Sequence, residues 1–106
     1  LPVAALTVEL QLPDAHSLKD KRSVIRPILD GSRRRFAVAA AEVGHQDRWQ
    51  RATLSMAAVS ASVHQVTELL DAVERFVWSF PEVEVLSCQR DWLELDDDDA
   101  TSRDPG

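Results

Sequence analysis

AEVGHQDRWQRA, residues 41–52, is the stretch on which the fold turns. Before it runs FAVAAAEV, residues 36–43, and after it RATLSMAAVS, residues 51–60, with Leu54 and Met56 on one side of the second run. Two extended apolar runs separated by a short polar segment read as an antiparallel hairpin. Gly44 is the residue expected to allow the turn, and Trp49 is expected to plug the hairpin onto the core.

Upstream, VAALTVELQL (residues 3–12) alternates, with Ala4, Leu6, Val8, Leu10 and Leu12 on one side and Val3, Ala5, Thr7, Glu9 and Gln11 on the other. That period predicts a half-buried strand. Ser17 is placed to cap a helix start, with Asp20 three residues on. The helix that follows carries an apolar stripe of Leu18, Ile25, Ile28 and Leu29. Pro27 and Gly31 oppose it, because proline costs about 3 kcal/mol inside a helix. A kinked helix, or one that fails early, is expected.

Downstream, Ser62 and Gln65 form a capping box, and Val63, Val66, Leu70, Val73, Val77 and Phe80 recur with helical period up to Pro81. A last strand is expected over 83–93, its facing ambiguous because Val83 and Val85 fall on one side and Leu86 and Cys88 on the other. The order β-α-β-β-α-β is that of a ferredoxin-like α+β sandwich. It predicts a four-stranded antiparallel sheet in the order 4-1-3-2 with both helices on one face. The open face then shows Ala5, Thr7, Thr53, Ser55, Ala57 and Ser87. These are small residues, suited to close packing of a second copy, and they lack the rings on which RNA-recognition sheets stack bases. A homo-oligomer through the sheet face is the expectation.

The 106 residues match one domain, assigned to 1–95, with an acidic, disordered tail over 96–106 that begins in the run Asp96 to Asp99. The start of the chain has no basic leader, and no run approaches the roughly 18 apolar residues a membrane span needs. The lone Cys88 cannot form an internal disulfide and is expected to be buried and inert. A cytoplasmic protein with no membrane partner fits these features. The net charge of −6 is unevenly spread: residues 16–51 hold nine Lys or Arg against four acids, and residues 52–106 three against twelve.

SLKDKR at 17–22 and AEVGHQDRWQRA at 41–52 together resemble the YlxP-like family of small bacterial proteins, a domain of unknown function. The resemblance spans residues 3 to about 93. It implies a ferredoxin-like fold and a gene neighbourhood shared with translation initiation factor two and ribosome-binding factor A. It implies no established reaction.

On a helical wheel Lys19, Arg22, Arg26 and Arg33 share one sector beside the apolar stripe, and Lys21 lies on the stripe's other border. This basic ridge suits phosphate contacts. The competing reading has Lys21 and Arg22 snorkelling along the core edge and the rest solvated. Arg33, Arg34 and Arg35 extend the positive charge.

Glu42, His45 and Asp47 offer an acid–base or metal-binding trio if they converge. A single His-x-Asp matches no standard metal spacing, and no phosphate loop or Ser-His-Asp arrangement appears, so neither catalysis, cofactor nor metal is assigned. Glu42 is expected instead to pair with Lys19, Lys21 or Arg22. His16 and His64 read as solvated or capping residues, and Trp78 as an exposed mark of an interface.

The binding surface proposed from sequence is therefore Lys19, Lys21, Arg22, Arg26, Arg33, Glu42, His45 and Trp49. Its expected role is that of a non-enzymatic accessory protein of translation, with RNA or a ribosomal component as partner. The alternative is a homo-oligomeric interaction or small-ligand-binding module without nucleic-acid binding.

Overall fold

A computed structural model describes residues 1–94; the tail assigned to 96–106 lies outside the described residues. The elements run β1 (Pro2–Gln11), α1 (Leu18–Phe36), β2 (Ala39–Gly44), β3 (Arg51–Val59), α2 (Val63–Trp78) and β4 (Glu84–Glu94). The sheet is antiparallel in the order β2-β3-β1-β4, which is the ferredoxin-like arrangement.

The alternation in β1 decides which side is covered. Leu6, Val8 and Leu10 are completely buried against Leu54 and Met56 of β3 and Val66, Leu70, Val73 and Val77 of α2. Burying such side chains is worth about 1.5–3 kcal/mol each, so slipping β1 by one residue would forfeit most of the core. On the other face the register sets Ala39 beside Ala57 beside Ala5, and Ala41 beside Ser55 beside Thr7. The Thr7 and Ser55 hydroxyls meet at 2.7 Å. The centre of the open face is thus made of small residues, as read from the sequence.

Both helices begin on serine caps. Ser17 Oγ accepts from the Asp20 amide at 3.0 Å, and Ser62 Oγ from the Gln65 amide at 3.1 Å. The return contacts differ from a standard capping box: Asp20 accepts from the His16 amide, and Gln65 accepts from the Ser60 hydroxyl.

Helix α1 does not fail early. It runs for 19 residues, through Pro27 and Gly31, and takes in Phe36, which the sequence assigned to the following strand. Pro27 is tolerated because it sits on the exposed side, where a carbonyl left without an intrahelical donor can be hydrated. Gly31 has a tertiary role: a Cβ there would stand 2.4 Å from Cζ of Phe76. The glycine lets α2 approach α1, and Phe76 packs edge-on against both Phe36 and Phe80. The helix ends at Ala37, a left-handed residue.

Strand β4 resolves its ambiguous facing with a bulge. The register to β1 shifts between Glu9, opposite Ser87, and Leu10, opposite Val85, which leaves Leu86 as the extra residue. Val83 is buried and Val85 half-buried, whereas Leu86 and Cys88 are exposed. The expectation of a buried Cys88 is therefore wrong: it lies opposite Val8 on β4, the strand at the sheet's edge, and is exposed there. Partial desolvation, aided by Glu74, pushes the thiol pKa up, which disfavours the thiolate form.

Gly31→Ala should lower the free energy of unfolding by about 1–3 kcal/mol through overpacking, less up to about 1 kcal/mol returned by helix propensity. Trimming the opposing ring in Gly31→Ala/Phe76→Leu should recover part of the loss. Urea denaturation of the two variants and the parent checks both signs.

Candidate functional site at the hairpin and the first helix

The hairpin between β2 and β3 is held from within by one lysine. Lys21, in the first turn of α1, is buried to 1% exposure. Its ammonium donates to the carbonyl of His45 at 2.6 Å and to that of Arg48 at 2.8 Å, and stands 2.6 Å from Glu42 Oε2. The two carbonyls accept hydrogen bonds from the ammonium, and the carboxylate balances its charge as an ion pair. Lys21 is therefore the partner of Glu42 among the three candidates, and it is a structural cross-link rather than part of a phosphate-binding ridge. Its snorkelling is replaced by full burial, because the loop carbonyls satisfy the charge where water otherwise would.

A second bulge positions these groups. Glu42 lies opposite Leu54, on the helix side, while Gly44 lies opposite Thr53, on the open side, with Val43 between them. Gly44 does not supply the turn; the left-handed residue is His45, at φ 56°. What Gly44 provides is room, since a Cβ would come within 2.9 Å of the Thr53 hydroxyl. The Arg48 amide then closes the turn onto the His45 carbonyl at 3.0 Å. Gln50 ties the loop to the β1–α1 connection by donating to the carbonyls of Pro13 and Ala15.

The acid–base trio does not assemble. Glu42 points to Lys21 under the helices, whereas His45 points the other way, its Nε2 3.7 Å from Glu9 Oε2 on the open face. Glu9 also accepts from the Thr53 hydroxyl at 2.9 Å and lies 3.6 Å from Arg51. Asp47 is exposed in the loop. Among the described residues no three metal-ligating side chains come together. The cluster of Glu9, Thr53, His45 and Arg51 was not foreseen from sequence; the register of Glu9 opposite Thr53 is the feature that creates it.

Trp49 does not plug the core. It is 51% exposed and, with Asp47, Arg48, Gln50 and Arg51, lines an open surface cavity of about 540 Å³. The loop is anchored by Lys21 and Gln50 instead, which frees the indole.

Along α1 the ridge separates into two parts. Lys19, Arg22 and Arg26 are exposed and, with Ser23, line a shallow depression of about 280 Å³. Among the described residues their side chains form no ion pair or hydrogen bond. The next three arginines are engaged. Arg33 binds Asp30 at 3.0 Å and the Ala40 carbonyl at 2.5 Å, Arg34 binds the Asp30 carbonyl, and Arg35 lies over the Phe76 ring. Arg33 and Gln46 together cover two outward carbonyls of the edge strand β2, those of Ala40 and Glu42. His64 pairs with Glu68 on the surface of α2, His16 is exposed at the start of α1, and Trp78 is 60% exposed as its helical position predicts.

Comparison with known proteins places this geometry in a family. Residues 3–90 match the family described as "Protein of unknown function (DUF503)". The uncharacterized protein YlxP of Bacillus subtilis (strain 168) is 43% identical over 80 residues, covering 76% of this chain and 87% of its own. The chain belongs to the DUF503, YlxP-like family. No helix among the described residues is long and apolar enough to cross a membrane.

Lys21→Met should cost about 3–5 kcal/mol, the scale for removing one partner of a buried, hydrogen-bonded charge pair, because it strands Glu42 and two loop carbonyls. Lys19→Met, two residues away and exposed, should stay within about 0.5 kcal/mol of the parent. Chemical denaturation distinguishes the two; equal costs would contradict the cross-link.

Proposed function

We propose that this chain is a non-enzymatic accessory protein of translation that binds RNA through Lys19, Arg22 and Arg26. The observation that carries this reading is three exposed cations in line on one helix, whose side chains form no ion pair or hydrogen bond among the described residues. Over seven residues the line extends about 10 Å at 1.5 Å per residue, long enough for successive phosphates. Cations held in this way bind phosphates by releasing counterions, so affinity falls with salt. The family resemblance adds the translational context, through shared gene neighbourhood.

A second reading is supported by the open sheet face. Ala5, Ala57 and Ala39 form one row and Thr7, Ser55 and Ala41 the next, flat enough for another sheet to pack at about 10 Å. Val59 and Leu93 are exposed at one end of that face, on either side of Val3. Arg51 toward one end and Asp91 toward the other give a two-fold partner complementary charges. On this reading the protein is a dimer, sheet against sheet, and the ridge remains outward.

Replacing Lys19, Arg22 and Arg26 together by Gln should weaken binding to RNA or to ribosomal particles and flatten the plot of log affinity against log salt by about two to three, at roughly 0.7–0.9 per phosphate contact. Filter binding across a salt series measures this; a variant that binds as the parent does would refute the ridge. For the second reading, Ala57→Arg should lower the mass seen by light scattering without altering far-UV circular dichroism. A parent that is monomeric at high concentration would refute the dimer.

A further inference from the structure

We infer that Trp49 is a base-stacking platform and that the RNA bound is single-stranded, a deepening that rests on the ridge as an RNA-binding surface. An exposed indole is not unusual in itself, but aromatic side chains presented on an ordered backbone are the ones that most often anchor a partner. Here the loop is not loose. Lys21 holds the carbonyls of His45 and Arg48 on one side of the indole, and Gln50 holds those of Pro13 and Ala15 on the other. The indole is thus presented on a backbone already fixed, so little conformational freedom remains to be lost on binding.

The chemistry around it suits a nucleotide. Arg48 and Arg51 flank Trp49 along the wall of one open cavity, which also includes the carboxylate of Asp47. Arg48 is exposed, and Arg51 keeps a buried Nε without a hydrogen-bond partner. Lys21 ties this loop to the first turn of α1, the turn that also carries Lys19 and Arg22. A strand whose phosphates follow the ridge can set an unpaired base on the indole, with an arginine beside it. Duplex RNA cannot, because its bases are already stacked and its accessible groove presents sugars and edges rather than ring faces. The sheet face, which lacks aromatic rings, is not needed for this mode.

The test uses the full chain and two probes, a 12-nucleotide single-stranded RNA and a blunt RNA duplex of the same length, across a salt series. Trp49→Ala should weaken single-strand binding roughly 5- to 150-fold, the range for one stacked base, while leaving the salt slope unchanged. It should alter duplex binding less than about twofold, and Trp49→Phe should retain most of the affinity. In a Trp78→Phe/Trp92→Phe background, the remaining Trp49 fluorescence should be quenched by the single strand. If Trp49→Ala binds the single strand as the parent does while the Lys19, Arg22 and Arg26 variant loses its salt-dependent affinity, the stacking platform is overturned and the ridge stands. If the parent binds neither probe, both fall, and a protein partner becomes the better account of the surface.

Discussion

The structure at this end of the molecule depends on a single ammonium group. Lys21 leaves water and is satisfied by two loop carbonyls and one carboxylate. Each contact ties a different piece of chain to α1: the first turn residue, the fourth, and the end of β2. A hydrophobic side chain at this position would fill the space but would leave those carbonyls without donors. An arginine would bring a planar fork where three converging donors are wanted. The hairpin is therefore ordered by polar chemistry in the interior, while its aromatic residue is left outside.

This inversion explains which parts were legible in the sequence. The alternation of β1 and the helical period of α2 report burial directly, since each records one covered face, and the strand order follows from them. Lys21 offered no comparable signal. Its wheel position at the edge of the apolar stripe is shared by many solvated lysines, and two of its acceptors are backbone carbonyls that no side-chain pattern reveals. Trp49 was misplaced for the same reason: the pairing of Glu42 with a helix lysine was legible, but not that Lys21 and Gln50 between them hold the loop carbonyls and leave the indole outside.

Pro27 and Gly31 show how local propensity yields to packing. Their combined preference is against helix, yet α1 continues because its buried stripe lies on the face away from Pro27 and because Gly31 accommodates Phe76. A residue that weakens the helix taken alone stabilises the pair of helices. In β4 the difficulty was parity: a single extra residue, Leu86, exchanges the two faces, and no propensity marks where it falls.

The bulge at Val43 carries a consequence for how this loop can change over evolutionary time. Surface hairpins ordinarily accept insertions and deletions of any size, because each added residue costs little closure entropy. Here a one-residue length change between Glu42 and Arg51 would displace the His45 and Arg48 carbonyls from Lys21 and strand a buried charge. Substitution at exposed positions such as Gln46 or Trp49 carries no such penalty. Length in this loop should thus be held far more strictly than identity, and relatives that do differ in length should also have lost the lysine.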